Sequence, residues 1–316
     1  MSETIQNRYD FLYLFDVTDG NPNGDPDAGN LPRVDPQTFQ GLVTDGCIKR
    51  KIRDYVIAAK DTPNGPEAGY AIYFQTKGGP EKRVLNAIHQ QAYDAIDKKP
   101  KDKKYADQVA ARAWMCGNFY DVRTFGAVMS TDINCGQVRG PAQITFARSY
   151  HPIAQQEVAI SRKAVTTTKE ADEQIKKHGD ITGTLGRKSI VPYGLYATQG
   201  FISPQEAAGT GFTEADLNLL LRALAGRSKP DESAQGTLFD LDRSASRGLM
   251  AAQKLFVFKH ESKLGNAPAH KLFNAVKVEL SDACKAAGGI PRSFNDYTVT
   301  IDRTGIPANV EVLELL

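Results

Sequence analysis

The sequence predicts an α+β fold, in which helices pack on a sheet, and two patterns support this class. Residues Tyr9–Val17 alternate side chains with a period of two and are rich in aromatics, which is typical of a strand buried on both faces. A segment ending near Ala59 and another at Thr213–Ala225 repeat apolar residues every three or four positions, as amphipathic helices do. The 316 residues are too many for one minimal module and few for two ordinary domains, so we predict one domain with large insertions. No internal repeat of roughly 20–50 residues is visible.

The first strand opens into a loop at Asp19–Pro36, composed largely of Gly, Asn, Asp and Pro. These residues favour turns, so we expect no regular structure there. Long loops inside a compact domain are commonly functional. The loop is therefore the first candidate for a binding site.

A helix follows the loop, and its start is open between two candidates. Asp35 and Pro36 fit an N-cap and a first helical position, whereas Thr44 is an N-cap closer to the periodic part. Gly46 falls within the helical run, where glycine costs up to about 1 kcal/mol in a helix interior. That glycine could mark a close approach of the backbone to a partner.

The helix also carries the sharpest local charge of the chain, with four cations among the five residues Lys49–Arg53. Only Asp45 and Asp54 are near enough in sequence to pair with them. We therefore expect unpaired positive charge beside the loop, where nucleic-acid phosphates could satisfy the cations and the loop amides together. An ordinary solvated helix face is the alternative. The cations predicted to be exposed are Lys49, Arg50 and Arg53, with Lys51 beside them.

The remaining predicted elements include both strands and helices. In order, they are a strand at Tyr70–Phe74, a helix at Arg83–Lys98, strands at Arg123–Ser130 and Gln137–Phe146, a strand at Gly194–Ser203, the helix at Thr213–Ala225, a strand at Lys254–Lys259, a helix at Pro268–Leu280 and strands at Tyr297–Ile301 and Val310–Leu313.

Two insertions are expected, one at about residues 60–115 and one at His151–Tyr196. The second is polar, is broken by glycines and lacks a sustained apolar period, so it does not resemble a core. Residues Arg139–Lys188 contain nine cations and five carboxylates. The positive charge is thus local, because the whole chain has a net charge of only +2.

Composition excludes several classes of protein. No uncharged apolar stretch approaches the ~20 residues that span a bilayer, and the polar N-terminus lacks an apolar signal core, so we expect a cytoplasmic protein without a membrane partner. The four cysteines are far apart and, with the five histidines, match no zinc spacing. They are predicted to be buried free thiols.

The loop at Asp19–Asn30 comes close to a calcium-binding pattern, but Asn30 stands where a bidentate Glu is required and a strand precedes the loop instead of a helix. An Asx-turn-rich loop is the more ordinary interpretation. No set of nucleophile, base and orienting residue fits a catalytic motif. From residue patterns alone, neither a cofactor nor a resident metal is expected.

Several long motifs in order resemble one family. They are Asn21–Asp27, Pro32–Asp35, Gly41–Asp45, Ile48–Arg53, Arg123–Gly126, Gly140–Gln143 and Lys263–His270. Together they closely resemble the CRISPR Cascade backbone subunit of subtype I-C, over nearly the whole chain. The resemblance implies the RAMP superfamily, with a modified RNA-recognition-motif (ferredoxin-like) palm and an inserted thumb.

The resemblance also implies a function. A non-catalytic subunit would line up in several copies along one CRISPR RNA (crRNA) and present the guide to a single strand of target DNA. Its further partners would be the subunit that processes the crRNA 5′ handle, the large subunit and the small subunit. The insertion at His151–Tyr196 would be the thumb and would serve assembly on RNA.

Residue roles follow from the matching motifs. The main RNA contacts would be Asn21, Asn23, Asn30, Arg33, Thr44, Lys49, Arg50 and Arg53. Secondary contacts would be Arg123, Arg139 and Gln143, and the thumb would add Arg187 and Lys188. One alternative stays open: a metal-dependent RAMP ribonuclease in which Asp19, Asp25 and Asp27 hold magnesium.

Overall fold

The computed structural model of the chain describes residues 3–75, 83–100 and 104–316. In chain order the strands are β1 (Tyr9–Gly20), β2 (Gly24–Asp25), β3 (Leu31–Pro32), β4 (Gln40–Val43), β5 (Asp61–Thr62), β6 (Gly65–Pro66), β7 (Gly126–Ser130), β8 (Asn134–Arg139), β9 (Ala142–Ile144), β10 (Ala147–Pro152), β11 (Gln156–Arg162), β12 (Thr184–Ile202), β13 (Leu249–His260), β14 (Val276–Leu280), β15 (Tyr297–Ile301) and β16 (Val310–Glu314). The helices are α1 (Asp45–Lys60), α2 (Leu85–Ala95), α3 (Tyr105–Asn118), α4 (Tyr120–Phe125), α5 (Thr168–His178), α6 (Pro204–Thr210), α7 (Glu214–Ala225), α8 (Leu238–Leu241), α9 (Ala269–Ala275) and α10 (Asp282–Ala286).

A central antiparallel sheet organises the fold, in the order β16-β13-β1-β12-β10-β4, with β9 and β11 also paired to β12. Strand β1 pairs along its whole length with the C-terminal part of β12, from Tyr9 opposite Ile202 to Gly20 opposite Val191. Because β12 has 19 residues and a strand rises about 3.3 Å per residue, it spans about 60 Å and extends beyond the sheet.

The sheet is covered on both faces, which explains why β1 is apolar on both sides. Phe11, Tyr13 and Phe15 lie in the core cluster that also contains residues of α1, α7 and α8. Leu12 and Leu14 point to the opposite face, where they join a cluster with residues of α9, β14 and β15. The prediction of a strand buried on both faces is confirmed, as is the mixed class of helices on an antiparallel sheet.

A separate core cluster lies under α2, α3 and the β7–β8 hairpin. Tyr73, Ile88, Met115 and Cys135 are among its buried members. This cluster occupies much of the insertion predicted at about 60–115 and continues into the hairpin at Gly126–Arg139. Residues 76–82 and 101–103 of that insertion lie outside the described residues.

Several predicted elements are confirmed. The helix at Thr213–Ala225 is α7, whose N-cap Thr213 forms a capping box with Asp216. Thr44 is the N-cap of α1, so the alternative start at Asp35 is wrong. Gly46 is therefore in the exposed first turn and not in the helix interior. The four cysteines are free and buried, as predicted.

Other predicted elements are wrong. Tyr70–Phe74 makes only an isolated bridge between Ala71 and Phe119 and is not a strand. The predicted strand at Arg123–Ser130 begins at Gly126, because α4 continues to Phe125. Helix α3, the longest helix after α1, has no counterpart in the predicted elements.

Two further errors concern element boundaries. The predicted strand Gln137–Phe146 divides into β8 and β9. The predicted helix Pro268–Leu280 becomes the strand β14 at Val276, where apolar side chains begin to alternate and pair with β15.

Candidate nucleic-acid interface

The start of α1 is fixed to the loop at residues 19–33 by an asparagine. The backbone N–H and the hydroxyl of Thr44 both donate to Asn23 Oδ1 at 2.9 Å. The Thr44 hydroxyl also accepts from the Cys47 N–H, which caps the helix. Asn23 and Thr44, both predicted as RNA contacts, therefore hold the loop on the helix.

Two contacts also join the first part of the loop to its last part. Asn21 Nδ2 donates to the carbonyl of Asn30 at 2.7 Å, and Arg33 pairs with Asp25 at 3.4 Å. Between these links the two-residue strands β2 and β3 pair with each other. The expectation of no regular structure in the loop is wrong in this detail.

The cations of α1 are ion-paired, contrary to the sequence-based expectation. Lys49 Nζ lies 3.0 Å from Asp45, and Arg53 Nε lies 2.7 Å from the buried Asp121. The guanidinium of Arg53 also lies over two aromatic rings, 5.3 Å from the ring centre of Phe74 and 5.2 Å from that of Phe125. Asp121 lies 68 positions further along the chain, so nearby sequence could not reveal it. The helix face is therefore half-buried and largely neutralised.

A second distant carboxylate, Asp242, accepts from two more cations of the helix. Its oxygen lies 3.0 Å from Arg50 Nη2 and also contacts Lys51 Nζ. The Lys51 side chain is 0% exposed, so the expectation that it lies on the surface beside the exposed cations is wrong. Burial lowers the pKa of Lys51 against the opposing effect of Asp242. Burial raises the pKa of Asp242, but the hydrogen bond and charge of Lys51 and the charges of Arg50 and Arg247 outweigh it, so the net shift is downward.

The register of the central sheet shows which predicted residues come together. Gly20, at the start of the loop, is opposite Val191 of β12. Beyond that point β12 leaves the sheet and carries Lys188 and Arg187 into a projecting arm. The start of the loop and the base of the arm therefore share one end of the sheet, and the hydrogen bonds of Asn23 join the start of α1 to the loop. Gln155 at the arm's base donates to the carbonyl of Pro32, in the loop.

Three predicted contacts lie elsewhere. Gln143 pairs with Phe201, beside Asp10 at the opposite end of β1, and ten strand residues correspond to about 30 Å. Arg139 precedes that strand and is 80% exposed. Arg123 is buried, with Nη2 2.7 Å from Asp216, so it holds α4 to α7. We therefore leave Arg123, Arg139 and Gln143 out of the interface.

The arm is formed by β11, α5 and the first residues of β12. Every residue of β11 is exposed, and α5 has no buried residue. Arg187 pairs with Glu157 across the hairpin at 3.3 Å. The predicted insertion ended too late, because Ile190 and Tyr196 are buried in the sheet. The exposed arm itself ends near Ser189.

The three carboxylates of the ribonuclease alternative are placed as follows. Asp25 contacts Arg33 and accepts from the N–H of Asp27 at 3.2 Å. Asp19 is the penultimate residue of β1 and has a φ of 49°. Within residues 3–75, 83–100 and 104–316, no three His, Cys, Asp or Glu side chains are grouped as metal ligands. Over the same ranges, no helix is long and apolar enough to cross a membrane.

Sequence reasoning missed the segment Leu241–Gly248, which lies against both the loop and α1. Arg247 Nη1 donates to the carbonyls of Asn21 and Pro22 at 3.2 and 2.8 Å. A Cβ on Gly20 would lie 1.8 Å from the carbonyl oxygen of Arg247, so only glycine permits this approach. The segment's two arginines and two serines were the available signal, but they follow no motif.

The fold and these surfaces define a mixed α/β protein with a central antiparallel sheet, a polar loop beside a cationic helix, and a projecting arm. The family profile described as CRISPR-associated protein Cas7 matches residues 7–302, and the chain belongs to this family. The resemblance inferred from the motifs is thus confirmed at the family level.

Relatives of the chain include a CRISPR-associated protein Cas7 of Haloferax volcanii. It is 27% identical over 233 residues, which cover 69% of this chain and 63% of that protein. The chain therefore spans less than two thirds of this relative's length. Among solved structures, a chain of a "CRISPR RNA-guided surveillance complex, pre-nicking" has a TM-score of 0.47 and 15% identity, covering 79% of this chain and 78% of that one. A chain of another "CRISPR RNA-guided surveillance complex" has a TM-score of 0.44 and 13% identity, with coverage of 79% and 68%.

Proposed function

We propose that this protein is the non-catalytic backbone subunit of a type I-C CRISPR surveillance complex (Cascade). Its partners would be crRNA, further copies of itself, the other Cascade subunits and the target DNA strand paired to the guide. The observation that carries this proposal is the family match across residues 7–302. Within it, the chain would be a single RAMP domain whose palm is a modified RNA-recognition motif and whose thumb is the exposed arm.

RNA would be held through its backbone at the end of the sheet where α1, the loop and the arm meet. Lys49, Arg50 and Arg53 would contact phosphates, while Asn21 and Asn23 would fix the loop against the helix. Guide sequences differ from one crRNA to the next, so binding must read phosphates and leave the Watson–Crick edges free. Affinity for unrelated single strands should therefore be similar and should fall with salt.

A double substitution tests the helix. Arg53→Ala would leave the buried Asp121 without its partner, so the test uses Lys49→Ala with Arg50→Ala. This variant should weaken RNA binding uniformly and reduce the salt slope by about 0.7 for each lost phosphate contact on a single strand. Lys285→Ala with Arg303→Ala removes the same charge from exposed ion pairs elsewhere and serves as the matched control. Binding would be measured by fluorescence anisotropy with labelled RNAs of unrelated sequence. Equal affinities of the two variants, or a strong preference for one RNA sequence, would contradict the proposal.

The arm is tested by shortening it. Replacing residues 163–183 with a Gly/Ser turn removes α5, which has no buried residue, so the melting temperature should stay near that of the unsubstituted chain. Regular multimers on crRNA should no longer form in negative-stain microscopy. Regular multimers from the shortened chain would remove the thumb assignment.

The non-catalytic role is tested with the same RNA. Guide-matched RNA incubated with the purified protein and magnesium should remain intact on a denaturing gel. Cleavage that disappears with Asp25→Asn would favour the ribonuclease instead.

A further inference from the structure

Asp242 occupies an unusual position, because one carboxylate serves three cations from two separate segments. Its oxygen contacts Arg50 and Lys51 of α1 and lies 3.5 Å from Arg247 Nε. Arg247 in turn binds two carbonyls of the loop, at Asn21 and Pro22. Asp242 therefore joins the helix, the loop and the segment Leu241–Gly248.

The cations around this carboxylate differ in what they can reach. Lys51 has a fully buried side chain, so it can hold Asp242 but cannot touch a ligand. Arg50 and Arg247 are each 27% exposed at the side chain. Both arginines therefore remain accessible at the surface while Asp242 fixes their orientation.

Charge at this point favours an anion. Arg50, Lys51 and Arg247 carry three positive charges, against the two carboxylates of Asp54 and Asp242 that contact them. One positive charge is left in excess, which matches the single negative charge of a phosphodiester. Arginine also presents several donors in a fixed plane, which suits a phosphate when the plane is held still.

We propose that Asp242 is a positioning residue for RNA: its carboxylate holds Arg50 and Arg247 in the arrangement that meets one backbone phosphate. This inference rests on the proposed RNA-binding function and adds to it the segment Leu241–Gly248. The opposite role would be that of a competing anion, which weakens binding. The two roles predict opposite effects of removing the carboxylate.

The test removes Asp242 without changing the net charge. Asp242→Asn alone would leave Lys51 buried and unpaired, which is strongly destabilising, so it is combined with Lys51→Met. The double variant should bind a labelled single-stranded RNA about tenfold more weakly, the loss of one charge-assisted hydrogen bond. Its salt slope should fall by about 0.7. Lys60→Met with Glu67→Gln, which removes an ion pair at the far end of α1, is the charge-matched control and should bind normally.

A second variant covers the case in which the double variant fails to fold in a thermal melt. Arg247→Lys keeps the charge but loses the planar group that bridges Asp242 and the loop carbonyls, and it should also bind severalfold more weakly. If the unsubstituted chain binds RNA and a folded double variant or Arg247→Lys binds within twofold of it, this inference is overturned and the proposed function stands. If the unsubstituted chain binds no RNA, both are overturned.

Discussion

Substituting Arg123 distinguishes clearly between a structural role of this residue and a contact with RNA. Its motif suggested a contact with the guide, but the structure surrounds it with partners. Nε and Nη2 donate to the two oxygens of Asp216 at 3.1 and 2.7 Å, and the guanidinium lies over the rings of Tyr70 and Tyr120. Asp216 also caps α7 by accepting from the N–H and the hydroxyl of Thr213.

Arg123→Ala should therefore cost stability on the scale of a broken buried ion pair, about 3–5 kcal/mol, because Asp216 keeps a charge that it can no longer share. Unfolding entropy is roughly 2.1 cal/mol/K per residue, which for 316 residues gives about 0.66 kcal/mol/K. The loss then corresponds to a fall in melting temperature of about 5–8 °C.

Thermal melts and RNA titrations of the same preparations provide the assay. Arg139→Ala is the control, since that side chain is exposed and its change in stability should stay within about 0.5 kcal/mol. At a temperature where Arg123→Ala is still folded, its RNA affinity should equal that of the unsubstituted chain. A melting temperature within 1 °C of the original, or a uniform loss of RNA affinity in the folded variant, would refute the assignment of Arg123 to the interior.

Two further outcomes follow from single residues. Phe39 has a φ of 56° and a side chain that is 60% exposed. Phe39→Gly therefore removes backbone strain with little loss of buried surface, and it should raise the free energy of unfolding by about 0.5–1 kcal/mol. A lower urea midpoint would contradict this. A hydrogen bond from the backbone N–H of Ser228, followed by one from the side chain of Arg222, lowers the pKa of Glu232 to about 2. Because the pKa of Glu232 is lower in the folded state than its usual value near 4.5, the charged carboxylate stabilises the fold above that pH. This stabilisation is lost as the pH falls toward 2. Melts across that range should show a shallower acid-side decline for Glu232→Gln, and an unchanged slope would contradict the assignment.

Local patterns predicted the elements whose partners are also local. The residues that give β1 its period of two lie next to one another in the sequence. The capping residues of α7 are likewise only three positions apart, and both elements are confirmed. Two ion pairs of α1, Lys49–Asp45 and Arg50–Asp54, are also local, but the pairs with Asp121 and Asp242 could not be predicted in this way. Asp121 and Asp242 lie 68 positions and at least 191 positions from the cations of α1 that they contact. Nearby residues alone therefore predicted more unpaired charge on this surface than the fold leaves.

The boundary of the arm was misplaced for a related reason. Burial increases gradually along β12, from exposed and half-buried residues at Thr184–Ser189 to mostly buried residues from Ile190 onward, whereas the strand itself is continuous. A composition-based boundary therefore cut through one structural element. The continuity has a consequence for function, because no loop separates the arm from the sheet on the β12 side. Arg187 and Lys188 are held in strand register with Ala159 and Val158, so the sheet fixes their direction relative to the loop and α1.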